Sequence, residues 1–285
     1  MTVCSEQVVI PLDAVHEVEG RLRAAGVPSP RVDAEILVAD VLGLARSALY
    51  SSGCSVTAFE AERLDELVGR RLRREPLAYI LGEWGFRRLL LKVDDRALIP
   101  RPETEVVVER CLAFLGDLAE PRVLDVGVGS GAIALAIADE HEGAQVVAVD
   151  SSEQALSLAR ENQARAGVNG RVRLVRGDLL SEAEGPFDLV VSNPPYVSPE
   201  EYVKLQPEIR LYEPYEAVVG VDVGTKVAAE ARALLRPGGR LVLECGDGQA
   251  PRLAEALRSL GYAQVVETSD LAGRTRVVEG SWKTP

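Results

Sequence analysis

Histidine is nearly missing from this chain. There are two in 285 residues, His16 and His141, both inside helical patterns. That argues against a histidine triad or a histidine zinc centre, and both read as surface or structural residues. Cysteine is scarce as well. Cys4, Cys54, Cys111 and Cys245 lie far apart with no metal-ligand spacing. They read as free thiols in a reducing compartment, and no metal is expected. No apolar run reaches the roughly 18 residues of a membrane helix. The start, Met1-Thr2-Val3-Cys4-Ser5-Glu6, lacks the basic residues and apolar stretch of a secretion signal. A cytoplasmic location is therefore expected. Positive charge is outnumbered, 32 Lys and Arg against 44 Asp and Glu, for a net charge of −12. Broad binding to a phosphate backbone needs the reverse, so no direct nucleic-acid contact is expected. One basic cluster stands out, Arg70-Arg71-Leu72-Arg73-Arg74. It reads first as a solvated face at a helix C-terminus, and second as a contact for an RNA-bearing or acidic partner.

What is present is apolar material for a core, 47% of the chain, enough for one large domain and a smaller one. Residues 1–75 read as a small all-helical bundle. Leu12, Val15, Val18, Leu22 and Ala25 recur at helical spacing before Gly26. Ser29-Pro30 opens a second helix, and Thr57 with Glu60 has the form of a capping box for a third. Residues 76–105 change character. Phe86 to Val93 reads as a hairpin with Asp94-Asp95 as a turn. Ile99-Pro100-Arg101-Pro102-Glu103-Thr104-Glu105 then holds the chain extended, presents Arg101, and offers Thr104 as a helix cap.

Residues 106–285 alternate strand and helix. Arg122 to Val126 is a strand that contains Asp125 and runs into the turn Gly127-Val128-Gly129-Ser130-Gly131 and a helix from Ala132. Glycines let the backbone approach a ligand, and helix N-terminal amides favour anionic groups. A second strand, Gln145 to Val149, ends at Asp150, placed for ribose hydroxyls. A third, Val172 to Val175, exits at Asp178, placed for an adenine amino group. The glycine spacing is G-x-G-x-G rather than the G-x-G-x-x-G of NAD sites, and Asp125 suits an amino group better than a pyrophosphate. S-adenosylmethionine is the favoured ligand.

The fourth strand, Phe187 to Val191, stops at Ser192-Asn193-Pro194-Pro195-Tyr196. Two prolines fix φ and remove donors, leaving carbonyls and one amide side chain. Such a loop suits gripping a planar –NH2 group, taking its two hydrogens and aiming its lone pair at a methyl donor; the plainer reading is a Pro-rich exit from the strand. Strands at Arg240 to Glu244, Ala263 to Glu267 and Arg276 to Glu279 complete seven, one of them antiparallel near an edge.

With these residues in place, the chain resembles the protein-(glutamine-N5) methyltransferases, the HemK/PrmC-like family of release factor glutamine methyltransferases. The markers are Glu75-Pro76-Leu77-Ala78-Tyr79-Ile80-Leu81-Gly82, Leu98 to Glu105, Asp125 to Gly131, Asn193-Pro194-Pro195-Tyr196 and Gly238-Gly239. The resemblance implies a class I, Rossmann-like seven-stranded α/β methyltransferase domain behind a small helical domain that recognises substrate. It implies methyl transfer from S-adenosylmethionine to the glutamine amide of the Gly-Gly-Gln motif in peptide-chain release factors, by a cytoplasmic protein read as a monomer. A paralogue acting on another amide or amine, or an enzyme acting on a nucleic-acid base amino group, is the alternative, because Asn-Pro-Pro-Tyr also occurs in DNA and RNA amino-methyltransferases.

The resemblance also assigns residues. Asn193 and the Pro194 carbonyl would hold the acceptor nitrogen, with Pro195 and Tyr196 walling the pocket. Asp125, Gly127, Gly129 and Gly131 would take the methionine end of the cofactor. Asp150 would take the ribose, and Asp178 with Leu179 the adenine. Arg101 and Thr104 would sit near the methionine and glutamine tails. No strong base is needed, because the nitrogen is oriented by acceptors and loses its proton after transfer. Two departures stand out: Val128 where the family has Thr or a small polar residue, and Val219-Gly220-Val221-Asp222-Val223-Gly224 in place of Gly-Gly-x-Asp-Gly-Leu.

Overall fold

Four helices open the chain: α1 (Pro11–Ala24), α2 (Pro30–Leu42), α3 (Ala58–Leu72) and α4 (Leu77–Leu81), with a 3-10 turn at Arg46–Tyr50. These come from a computed structural model, which describes residues 10–283 apart from 52, 117 and 169. Cys4 and the residues read for a secretion signal lie outside that range. Each helix follows from local chemistry. Pro11 and Pro30 occupy the first turns of α1 and α2, where a missing N–H costs nothing. Thr57 and Glu60 form the capping box on α3, with Thr57 N donating to Glu60 Oε2 at 2.7 Å. Val15, Val18, Leu22, Leu37 and Val68 turn inward as one core.

The arginine cluster is not the solvated face expected of it. Arg71 is buried; its Nε donates to Asp33 Oδ2 at 2.7 Å and its Nη1 to Glu208 Oε1 at 2.8 Å. Arg74 makes a two-pronged contact with the same Glu208, at 2.7 and 2.8 Å. Arg70 is spent on Glu75 and the carbonyls of Tyr79 and Ile80, which leaves Arg73 the exposed member. Burial pushes Glu208 up, but Arg74 and Arg71 overcome it and hold its carboxyl below the usual range. The helical unit thus comprises the chain through Leu81 and, from far along the sequence, Pro207–Tyr212.

The second unit begins with the hairpin β1 (Glu83–Phe86) and β2 (Leu89–Lys92), followed by α5 (Thr104–Leu115). Then come β3 (Arg122–Val126), α6 (Ala132–Glu140), β4 (Gln145–Asp150), α7 (Glu153–Ala166), β5 (Val172–Arg176) and β6 (Phe187–Ser192). Short helices α8 (Pro199–Tyr202), α9 (Pro207–Tyr212, the returning segment of the first unit) and α10 (Tyr215–Val218) follow. The chain closes with α11 (Val223–Ala231), β7 (Leu235–Glu244), α12 (Ala250–Ser259), β8 (Tyr262–Ser269) and β9 (Thr275–Trp282). The sheet order is β5-β4-β3-β6-β7-β9-β8. Pairings from β5 to β7 are parallel, and β9 is antiparallel to both its neighbours. β3 and β6 are buried on both faces, as near-continuous Val and Leu runs require. After β5 the chain crosses to the other side of β3, so the carboxyl ends of β3 and β6 flank a topological switch point, where ligands bind in such sheets.

Two local expectations change. Thr104 is the first helical residue rather than the cap of α5; Glu103 takes the cap position, and the Thr104 hydroxyl accepts from Asn193 instead. β7 begins at Leu235 rather than Arg240. A register irregularity against β6 between Phe187 and Leu189, with Gly238 at φ +80°, lets the chain pass through Pro237 and still pair.

Candidate active site

A cavity of about 810 Å³ opens at the carboxyl ends of β3, β4 and β6, inside the range of roughly 300–1,000 Å³ usual for small-molecule sites. It brings together Arg101, Thr104, Gly127, Gly129, Asp150, Asp178, Leu179, Asn193, Pro194 and Pro195 on its walls. Gly127 and Gly129 have φ of +79° and +54°, and a Cβ on either would meet nothing within 4 Å. The turn is therefore glycine because of its backbone shape, and the room beside it belongs to the cavity. Gly131 differs. Its Cβ would sit 2.8 Å from Leu135 Cδ1, so it serves the packing of α6 and is not on the cavity wall. Asp150 pins the turn, accepting from Gly129 N and Ser152 N, both at 2.9 Å.

Asp125 does not reach the cavity. It is 1% exposed, its Oδ2 accepts from Ala134 N at 3.0 Å, and its Oδ1 has no partner. Burial raises its pKa to about 8, opposed by the Ala134 N–H and helped by the charge of Asp150. A folded-state pKa raised from 3.8 means stability that is full below about pH 4 and lost as pH climbs through about 8. We expect Asp125→Asn, which keeps the acceptor for Ala134, to flatten that slope in chemical denaturation between pH 5 and 9. An unchanged slope would place the linkage elsewhere.

β6 ends at Ser192, whose Oγ donates to the Val126 carbonyl at 2.7 Å and ties the loop to β3. Asn193 Nδ2 donates to Thr104 Oγ1 at 3.3 Å, which leaves Oδ1 to accept. Arg101 Nη2 donates to Glu213 Oε1 at 2.5 Å. Burial raises the Glu213 carboxyl, and Arg101 opposes the rise. Tyr196, expected to wall the acceptor pocket, is not among the residues lining this cavity. It lines a second cavity, of about 180 Å³, with Glu244, Gln249 and Asp222. Gln249 Nε2 holds the Tyr196 carbonyl at 2.9 Å, and burial, with the nearby Glu244 charge, pushes the phenol up to about 12. Neither histidine lines either cavity.

The Val219–Gly224 segment presses directly on the double-proline loop. A Cβ at Gly220 would lie 2.6 Å from the Pro195 carbonyl oxygen, a distance no side chain tolerates against backbone. Gly220 N donates to Val197 O at 3.0 Å, and Val223 lines the larger cavity. The segment keeps the one glycine that this close approach demands. We expect Gly220→Ala to displace Pro195 and lower kcat by up to about a hundredfold, with cofactor affinity within threefold; single-turnover methyl transfer and equilibrium titration measure the two. Val128, the other departure, is 5% exposed in the core, and its N–H is spent on the Val149 carbonyl.

Sequence reasoning missed Glu213, Glu244 and Gln249. Glu244 carried a signal, because it ends a parallel strand at the sheet edge where ligands bind.

The chain matches the PrmC N-terminal domain over residues 13–82 and the methyltransferase small domain over residues 108–209. A release factor glutamine methyltransferase of Deinococcus radiodurans is 44% identical over 271 residues, covering 93% of this chain and 96% of that protein. The chain belongs to the release factor glutamine methyltransferase family. A second member, from Caulobacter vibrioides, is 37% identical over 91% of this chain and 92% of its own length. The fold extends further. The T. thermophilus 16S rRNA N2 G1207 methyltransferase, solved with AdoMet and guanosine, aligns with a TM-score of 0.51 at 20% identity, over 70% of this chain and 50% of that one. Of the family's markers, the segment from Leu98 contributes Arg101 and Thr104 to the larger cavity, and Asn193-Pro194-Pro195 forms its rim.

Proposed function

We propose that this chain transfers a methyl group from S-adenosylmethionine to the side-chain amide nitrogen of glutamine in the Gly-Gly-Gln motif of peptide-chain release factors. The observation that carries this reading is the placement of Asn193 and Pro194 on the rim of the same cavity that Asp150, Asp178 and the Gly127 turn line. The residues fit the donor. The cavity volume, the open space above Gly127 and Gly129, and two acids at successive strand ends suit a nucleoside with an amino-acid tail. Asp150 would take the ribose, Asp178 with Leu179 the adenine, and the Gly127–Gly131 turn the methionine end. Asp125, whose Oδ2 accepts from Ala134 N in the first turn of α6, would act on the methionine end by holding the start of that helix. S-adenosylmethionine supplies an electrophilic methyl group on a sulfonium.

The acceptor amide is a poor nucleophile because its lone pair is delocalised into its carbonyl. Asn193 Oδ1 and the Pro194 carbonyl would accept its two hydrogens, aim the lone pair into the cavity and favour pyramidal nitrogen in the transition state. Preorganised dipoles of this kind, with proximity, supply several kcal/mol. The nitrogen–methyl bond would form as the sulfur–methyl bond breaks, its electron pair staying on sulfur as a neutral thioether; the nitrogen would then be acidic and release one proton to water, so no histidine is required. Arg101, held by Glu213, would keep its remaining donors for the glutamine or methionine tail. The helical unit would recognise the release factor, with the chain acting as a monomer in the cytoplasm; no described helix is long and apolar enough to cross a membrane. Labelled methyl from S-adenosylmethionine, offered together to release factor, DNA and RNA, is expected on the protein. Label on nucleic acid with none on protein would replace this reading with base methylation.

A further inference from the structure

Asn162, on α7, is a fully buried amide that lines neither cavity. Its Oδ1 accepts from Lys92 N at 2.7 Å. Its Nδ2 donates to Lys92 O at 3.0 Å and to Ser130 O at 2.8 Å. Both hydrogens of the amide are given and its oxygen is engaged. The pattern admits one orientation, because the reverse would set the NH2 against an N–H and the oxygen against two carbonyls. It also selects the residue type. Leucine fills the volume without a polar group, and an ionised aspartate has no hydrogen for either carbonyl.

The three bonds end on two separate stretches of chain. Ser130 belongs to the glycine turn and lies on the wall of the larger cavity. Lys92 is the last residue of β2, three positions before the stretch from Asp95 to Arg101 that forms another part of that wall. Asp150 holds the turn at Gly129 N, and Asn162 holds it at the next residue. Glu161, beside Asn162 on α7, also grips the second stretch, accepting from Lys92 Nζ at 2.6 Å and Arg96 Nη1 at 2.7 Å. Glu161 is 40% exposed, however, and such pairs contribute little. Loss of the buried amide would strand three backbone groups away from water. We propose that Asn162 is a positioning residue for S-adenosylmethionine: it ties the glycine turn to the Asp95–Arg101 stretch, so that the cavity is formed before the cofactor arrives. A cavity already in shape spares the cofactor the cost of ordering its walls.

This inference depends on the cofactor and not on which acceptor is methylated, so the test is equilibrium titration of the full chain with S-adenosylmethionine. Asn162→Leu is expected to raise Kd about tenfold or more. Its kcat at saturating cofactor should stay within about threefold of wild type, because the double-proline loop is tied through Ser192 to Val126 instead. Two controls separate positioning from general loss of stability. Leu115→Ala, a truncation elsewhere in the methyltransferase core, is expected to lower the denaturation midpoint and leave Kd within about threefold. Glu161→Ala is expected to leave both nearly unchanged. Should Asn162→Leu fail to fold, the near-isosteric Asn162→Asp keeps the acceptor for Lys92 N, loses both donors, and is expected to raise Kd by a similar factor. Wild-type Kd in a folded variant at position 162, or a Kd raised as far by Leu115→Ala or Glu161→Ala, would overturn the inference.

Discussion

Asn193→Ala is expected to lower kcat by more than about a hundredfold, the loss seen when one preorganised polar contact to a reacting group is removed. The cofactor Kd should change little, since Asp150, Asp178 and the Gly127 turn stay in place along the cavity. The expectation rests on what the loop offers. Its two prolines have no N–H, so under the proposed function the groups that would meet an incoming amide are the Pro194 carbonyl and Asn193 Oδ1. Alanine removes one of two acceptors and leaves Thr104 Oγ1 without the donor now 3.3 Å away. A variant that kept more than a tenth of wild-type kcat would mean that proximity alone orients the nitrogen. The comparison is made by single-turnover transfer under saturating cofactor.

The second large effect is structural. Arg71→Met is expected to destabilise the helical unit by about 3–5 kcal/mol, the usual cost of removing one partner from a buried ion network. Arg71 joins Asp33 on α2 to Glu208 on α9, and all three are buried. Methionine fills much of the volume but leaves two buried carboxylates, with Arg74 as the remaining cation on Glu208. The measurement is chemical denaturation followed by helix content. Replacing Asp33, Arg71 and Glu208 together by apolar residues should restore much of the loss. A single Arg71→Met variant as stable as wild type would show that the network contributes nothing net.

The parts legible in the sequence are those set by neighbouring residues. β3 falls at Arg122–Val126 and α6 starts at Ala132, as the Val and Leu run and the glycines between them predict, and the Thr57 capping box is a four-residue signal. The double-proline loop was readable because proline chemistry is local. What was not readable depends on distance along the chain. Arg71 and Glu208 are 137 positions apart, so a basic cluster looked solvated when it was a buried anchor. Tyr196 follows two prolines, where no periodicity says which side a ring takes, and it turned towards Glu244. Asp125 read as a ligand-facing acid, yet the strand buries it and the Ala134 amide claims it. Thr104 looked like a cap because capping residues are common before helices, while its hydroxyl accepts from Asn193, 89 positions away.

The most direct measurement is peptide mass spectrometry of a release factor after incubation with this chain and S-adenosylmethionine. The expected result is one added methyl on the glutamine of Gly-Gly-Gln, lost with Asn193→Ala. An unmodified glutamine there, with the methyl on another residue or on none, would contradict the assignment of Asn193 and Pro194 to a glutamine amide.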